Sequence, residues 1–355
     1  MNRILGTVVS LVAAAALAGC GAASSASSEK AGVAGSGETG EKLKVYTTLY
    51  SLEYVTKRIG SDHIEVVNMV PAGVEAHDFE PTARDMVDLA KADLFIYNGN
   101  GLELWVEKAV SNLASHHTQV LNATEGLHLE NEKNHDTAGG QDAAENGEKQ
   151  AAGHAAHGDA QPGEETAGVS GDGHEHGHSH GGDDPHVWLD PMLLKAQAEA
   201  IRDALAAKDP AHAAAYEENF QKLAADLDQL DREFQEMVGQ AAKREFMVSH
   251  SAFGYLANRY GLKQIAISGV DPSDEPSPSE MKKLVERVRE RGISYVLLEP
   301  LASAEMAEVI AREAGVKTAT LNPLEAMTEE DLQAGKDYMS IMRENLEALR
   351  LALNE

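Results

Sequence analysis

Three histidines and one glutamate, far apart along the chain, stand in the same kind of place. His77 lies in Glu75-Ala76-His77-Asp78-Phe79-Glu80-Pro81, a loop that follows an apolar run of strand character. His250 closes a second such run, in Val248-Ser249-His250-Ser251-Ala252-Phe253-Gly254-Tyr255, and Glu325 follows a third, in Leu321-Asn322-Pro323-Leu324-Glu325. His186 sits in Asp184-Pro185-His186-Val187-Trp188-Leu189-Asp190-Pro191, where a polar, histidine-rich tract gives way to a helical pattern. Taken singly, each has an ordinary explanation: a histidine near a strand end is usually a hydrogen-bonded surface residue, and Glu325 would suit a helix N-terminus. Taken together, they occupy equivalent edges of what reads as one kind of sheet, where ligands of open parallel sheets collect. Three imidazoles and a carboxylate form an N3O set that suits a four-coordinate zinc ion, whereas a manganese site would be richer in oxygen. His63, His116, His117, His128 and His212 lack this placement and read as surface residues.

The elements that must bring these residues together alternate. Strands are predicted at Lys44–Tyr50, His63–Val70, Asp93–Tyr97 and Thr118–Asn122, with helices between them ending at Gly60, running from Pro81 to Ala92, and covering Leu102–Ala114. A second block repeats the scheme, with strands at Glu245–Ser249, Gln264–Ser268, Tyr295–Glu299 and Lys317–Leu321. Its helices fall at Phe253–Tyr260, Pro278–Arg291 and Ala304–Ala314, and Thr328–Leu353 reads as one closing amphipathic helix. Such alternation means parallel sheets with helices on both faces. The predicted fold is therefore α/β: two similar lobes, each a four-stranded parallel sheet flanked by helices, joined by one long rigid helix.

That helix has a clear signature. Asp190-Pro191 starts one helix to about Lys208, with the aspartate as cap and the proline at the first position, and Asp209-Pro210 repeats the device. Beyond it Tyr216, Phe220, Leu223, Leu227, Leu230, Phe234 and Met237 recur at alternating spacings of four and three, a continuous apolar seam. A coiled-coil dimer would use such a seam, and so would packing across both lobes of one chain.

The formal charge of −28 excludes nucleic acid as a partner and favours a cationic one. Much of it is local: Ala123–Pro185 holds 14 acidic residues against 2 lysines. Residues 125–182 show no apolar periodicity and too little apolar surface to offset chain ordering, which predicts disorder. Within them His174, His176, His178 and His180 alternate among carboxylates, an arrangement that suits weak, labile binding of a transition metal beside the tight site; compositional drift is the alternative.

The start of the chain is of another kind. Met1-Asn2-Arg3 is basic, Ile4–Ala18 is apolar over signal-peptide length, and the run ends in Leu17-Ala18-Gly19-Cys20, which looks like a bacterial lipobox with Cys20 as the lipidated residue. Cys20 is the only cysteine, so no intramolecular disulfide forms. The expected organisation is a leader at 1–20, a Gly/Ala/Ser tether at 21–42, a first lobe at 43–190 including the insert 125–182, a helical link at 191–241 and a second lobe at 242–355. The mature protein would be anchored to the outer face of a membrane, or periplasmic if the cell has an outer membrane, without crossing it.

The His-Asp-Phe-Glu-Pro run at His77, Asp-Pro-His-Val-Trp at His186 and His-Ser-Ala-Phe-Gly-Tyr at His250 resemble the three histidine motifs of the zinc-binding solute-binding lipoproteins of bacterial ABC-type uptake systems, the metal-binding cluster A-I that also includes manganese receptors and adhesin-type lipoproteins. Asn-Pro-Leu-Glu at Glu325 is similar to the carboxylate ligand position of Gram-positive zinc receptors; in other members water or another carboxylate fills that place. The histidine-rich insert is also typical of the zinc members. The resemblance covers about Lys44 to the C-terminus. It implies a monomeric receptor, not an enzyme, that captures Zn²⁺ as cargo between its lobes and passes it to a membrane permease, with a manganese receptor or an adhesin holding a structural metal as alternatives. Release past a single interlobe helix implies a modest lobe shift or a loop rearrangement. Imidazole ligation implies an affinity that falls as pH drops through about 6.5. A zinc hydrolase fits less well, because four protein ligands close the site to water and no His-Glu-x-x-His run falls in a predicted helix.

Overall fold

Two successive α/β halves account for the order of elements. In the computed structural model, which describes residues 42–129 and 184–355, the first half comprises β1 (Leu43–Thr47), α1 (Tyr50–Gly60), β2 (Ile64–Asn68), α2 (Ala83–Leu89), β3 (Leu94–Tyr97), α3 (Val106–Leu113) and β4 (Gln119–Asn122). Two helices follow, α4 (Pro191–Lys208) and α5 (Ala213–Gly239). The second half comprises β5 (Glu245–Val248), α6 (Gly254–Tyr260), β6 (Lys263–Ala266), α7 (Pro278–Glu290), β7 (Tyr295–Leu298), α8 (Glu305–Ala314), β8 (Lys317–Thr320), α9 (Glu329–Gln333) and α10 (Tyr338–Asn354). Both sheets are four-stranded and parallel, ordered β2-β1-β3-β4 and β6-β5-β7-β8. In each, the chain builds outward from its first strand and then crosses back over it. The carboxyl ends of β1 and β3, and of β5 and β7, therefore flank the topological switch points where such sheets leave a crevice.

The outer and inner faces of the sheets are packed differently. Tyr46, Phe95 and Met69 pack with Leu89 of α2 and Val106 of α3 in a core that belongs to the first lobe alone. Met247, Val296 and Ile265 pack with Leu284 of α7 and Ile310 of α8 in one that belongs to the second. The inner faces share a single core: Val45 and Ile96 of one sheet and Val248 and Leu297 of the other join it through α1, α4, α5 and α10. The whole seam predicted for α5 is buried in that core. At ~1.5 Å per residue its 27 residues make a rod of ~40 Å. It is tied to the first lobe by Arg58 of α1, whose Nη2 donates to Asp226 at 2.7 Å, and to the second by the Tyr260 hydroxyl of α6, which donates to Asp231 at 3.1 Å. The seam is thus satisfied within the chain.

Local chemistry fixes the start of α4 as expected. Asp190 Oδ1 accepts from the backbone N–H of Met192 at 2.8 Å and of Leu193 at 3.3 Å, and Pro191 takes the first position, where no N–H is needed. Three expectations need correction. Pro81 does not open α2; Thr82 is the cap, in a reciprocal bond pair with Asp85, so proline stands outside the helix. Leu102–Trp105 form a turn rather than helix, because the buried Glu103 carboxylate turns back to accept from the N–H groups of Asn98 and Gly99. The closing helix is two helices: Gly335 at φ 70° ends the first, and Asp337 caps α10 by accepting from Ser340 N at 2.9 Å. Among the described residues no helix is long and apolar enough to cross a membrane.

Candidate metal centre

Each of the four residues is delivered by a segment that leaves regular structure. His250 lies two residues past β5, where the chain turns before α6. Its backbone N–H donates to Glu299 Oε1 at 3.0 Å, and its Nδ1 pairs with Glu299 Oε2 at 2.6 Å. Glu299 itself stands just past β7, so the second lobe's switch point presents an imidazole and the carboxylate that orients it. His186 precedes a single 3₁₀ turn, Val187–Leu189, that leads into α4. Asp184 Oδ1 accepts from both His186 N at 2.9 Å and Nδ1 at 2.8 Å, a local bond of the i to i+2 type that aspartate makes readily. His77 rides on the loop from β2 to α2. That loop is held across the cleft by Gly73 N, which donates to Met327 O at 2.8 Å. Glu325 follows β8, and its carbonyl accepts from Tyr50 N of the first lobe at 3.3 Å.

The four side chains meet. His77 Nε2 and His250 Nε2 each lie 3.2 Å from His186 Nε2. Glu325 Oε1 lies 3.3 Å from His186 Nε2, 3.5 Å from His250 Nε2 and 3.7 Å from His77 Nε2, and one donor atom from each of the four falls within 4.8 Å of all the others. A tetrahedron of bonds about 2.0–2.1 Å long has edges of about 3.3–3.4 Å, close to the five separations just given. His186, His250 and Glu325 are buried, while His77 is partly open to solvent.

While the rings are neutral, hydrogen bonding does not hold this arrangement together. In the neutral rings of His186 and His250, with Nδ1 donating to a carboxylate, Nε2 is an acceptor, and both turn their lone pairs to the same point. Glu325 Oε1 is buried there without a hydrogen-bond partner among the described residues. Acceptors crowded in this way repel one another, and a cation at their centre is what relieves it. Without a cation, protons compete for the same place. Burial would raise the Glu325 carboxyl, but the imidazoles of His186, His250 and His77 hold it well below the usual carboxylate range. Burial lowers both buried imidazoles, yet Asp184 and Glu325 lift His186 above its ordinary value, and Glu299 and Glu325 lift His250 well above. Burial, then the adjacent Glu325, push the Glu75 carboxyl up to about 9. At neutral pH Glu75 is therefore a protonated acid beside the ionised Glu325. A cavity of about 10 Å³ lined by Glu75, Glu299 and Glu325 leaves room for about one water.

All four residues singled out in the sequence are thus brought together. Asp184, Glu299 and Glu75 were not singled out, though two carried a signal: Asp184 has the i to i+2 spacing to His186, and Glu299 ends a predicted strand. His63 and His212, expected as surface residues, stack face to face with ring centroids 3.9 Å apart, and His212 Nδ1 pairs with Asp209. Cys20 and His174, His176, His178 and His180 lie outside the described residues.

A fold of two like parallel-sheet lobes around an N3O cleft defines a metal-binding, solute-receptor class of protein. The chain belongs to the ZnuA family, described as zinc-uptake complex component A periplasmic, which it matches over residues 45–352. This is a family of receptors, not of enzymes. The chain is 34% identical over 320 residues to the high-affinity zinc uptake system protein ZnuA of Bacillus subtilis (strain 168), covering 90% of each. It is 37% identical over 309 residues to the zinc-binding lipoprotein AdcA of Streptococcus pneumoniae (strain ATCC BAA-255 / R6), covering 87% of this chain but 55% of that protein, so it spans about half the length of this relative. The crystal structure of the Zn(II)-bound ZnuA-like domain of the S. pneumoniae AdcA superposes with a TM-score of 0.68 at 33% identity, covering 88% of this chain and all of that one.

Proposed function

We propose that His77, His186, His250 and Glu325 bind one Zn²⁺ between the lobes, and that the chain is an extracytoplasmic receptor that hands this ion to an ABC-type permease. The observation that carries this reading is the buried, partnerless Glu325 Oε1 facing three imidazole nitrogens at tetrahedral spacing. The protein's part is to orient the imidazoles: Asp184 and Glu299 accept from the Nδ1 atoms and leave Nε2 of each ring to face the ion, and the closed set leaves no open position for an attacking water. Zinc satisfies the set with two nitrogens on rigid, buried supports and a third, His77, on the more open loop.

The shared inner core makes wide separation of the lobes costly, since it would expose apolar surface on both. Release therefore proceeds by a small lobe shift or by movement of a ligand-bearing loop. Cys20, lipidated, would tether residues 21–42 and the two lobes, 43–190 and 242–355, to the membrane beside the permease. His174, His176, His178 and His180 would gather the ion weakly nearby. The deciding experiment is titration of the stripped protein with Zn²⁺ and Mn²⁺ against a competing chelator. One tight equivalent with zinc preferred is expected; no tight equivalent would overturn the assignment. Zinc-limited growth of a deletion strain, rescued by added zinc, tests the uptake role.

A further inference from the structure

A buried hydrogen bond joins the segment that carries His186 to the one that carries Glu325. The loop that carries Glu325 has an unusual backbone: Leu324 is fully buried yet adopts φ 55°, the left-handed region that a branched, non-glycine residue rarely enters. Three contacts surround that residue. Leu324 N donates to Asn322 Oδ1 at 2.8 Å. Asn345 of α10 brackets Asn322, accepting from its N–H at 2.8 Å and donating Nδ2 to its carbonyl at 2.7 Å. From the other side, the buried indole Nε1 of Trp188 donates to Pro323 O at 2.7 Å. Trp188 lies two residues after His186, and its own carbonyl accepts from the buried Tyr338 hydroxyl at 2.7 Å.

We infer that Trp188 is a positioning residue for the fourth ligand: its indole N–H, bound to Pro323 O, holds Leu324 in the left-handed conformation that aims Glu325 at the ion, so that His186 and Glu325 are set in place as one unit. A left-handed leucine persists only where its surroundings impose it. If the bond to Pro323 O is lost, Leu324 can return to an ordinary conformation, and a turn at Leu324 swings the next side chain, Glu325, away from the three imidazoles. Through this bond a shift of the 184–190 segment reaches Glu325 directly, although 139 residues separate the two ligands in the chain. Packing alone would give Trp188 no such selectivity, since its ring also fills the core against His186, with ring centroids 5.2 Å apart.

This inference rests on the reading of Glu325 as a metal ligand, and its test separates the two. Zn²⁺ affinity is measured by chelator competition for the unaltered chain, Trp188→Phe, Glu325→Gln and the double variant. Trp188→Phe is expected to weaken binding about ten-fold, the scale of one buried hydrogen bond. In the Glu325→Gln background the same change should cost less than about two-fold, because the carboxylate it positions is already gone. The Co²⁺-loaded Trp188→Phe protein should shift its visible absorption toward that of Glu325→Gln. Equal losses in both backgrounds, or wild-type affinity in Trp188→Phe, would overturn the positioning role while leaving the ligand assignment standing. Wild-type affinity in Glu325→Gln would overturn the ligand assignment itself. Should Trp188→Phe not fold, Tyr338→Phe, which removes only the hydroxyl bound to Trp188 O, goes through the same cycle. A loss of about three-fold confined to the Glu325 background is expected, and a loss independent of Glu325 again overturns the inference.

Discussion

His250 Nδ1 lies 2.6 Å from Glu299 Oε2, and the other oxygen of the same carboxylate accepts the His250 backbone N–H at 3.0 Å. Both the ring and the peptide that carries it are thus fixed by one side chain, and Nε2 has a single direction left to face. Glu299→Gln keeps the shape but removes the charge that favours an Nδ1–H donor. Zn²⁺ affinity should fall about 10- to 100-fold, measured by chelator competition, with the fold intact by circular dichroism. An unchanged affinity would mean that Glu299 serves only the loop.

Removing a ligand should cost far more than removing a support. His250→Ala and Glu325→Ala should each raise the dissociation constant by about two decades or more. If Glu325→Ala binds as tightly as the unaltered chain, solvent fills the fourth position.

Acid should act on the ion and on the fold in opposite directions. His186 and His250 have raised values in the metal-free protein, in spite of burial, because Asp184, Glu299 and Glu325 favour their charged forms. Their contribution to stability is then complete below the free imidazole value of about 6.5 and is lost as pH rises through the raised values. Zinc needs the neutral rings, so its affinity should begin to fall above pH 6.5 rather than at it. The loss should approach about ten-fold per pH unit for each imidazole that must be deprotonated. Glu325, held low, stays ionised throughout and loses its contribution only as pH falls through its depressed value, well below 4.5. Chelator competition between pH ~7.5 and ~5.5 checks this, and a flat profile would contradict imidazole ligation.

Metal should also stabilise the chain as a ligand of the native state only. At a free concentration about 1,000 times the dissociation constant the gain is ~4 kcal/mol, on the order of 10 °C in melting temperature. A chelator should reverse it, and at the same free concentration the shift should fall to about a third or less in His250→Ala.

Deleting residues 130–182 tests the histidine-rich tract. The tight equivalent should keep its affinity while the number of weakly bound zinc ions falls. Unchanged stoichiometry would reject a collecting role for His174, His176, His178 and His180.

Much of this architecture could be read from the chain because buried parallel strands are apolar runs and a helix packed on a core repeats every three to four residues. The seam from Tyr216 to Met237 and the Asp190-Pro191 cap are local patterns, and they lie where the residues place them. The four clustered residues were legible for a different reason: cation ligation needs particular atoms, and three of these followed strands while His186 stood before a helical pattern. What escaped was set by distance. Glu299 reaches His250 across 49 residues and Trp188 reaches Pro323 across 135, and no spacing rule signals either contact. The break at Gly335 was missed because the apolar period runs on through α9 and α10, whereas the left-handed glycine and the Asp337 cap interrupt the backbone beneath it.

The apolar interior common to both sheets has a consequence for how the molecule comes apart. A fragment stopping at residue 190 would keep α1 but leave the core around Val45 and Ile96 without α4, α5 and α10, and one starting at 242 would keep α10 but leave the core around Val248 and Leu297 without α1, α4 and α5. Neither half should survive excision as a soluble piece. Heating the intact chain should give one calorimetric peak rather than two.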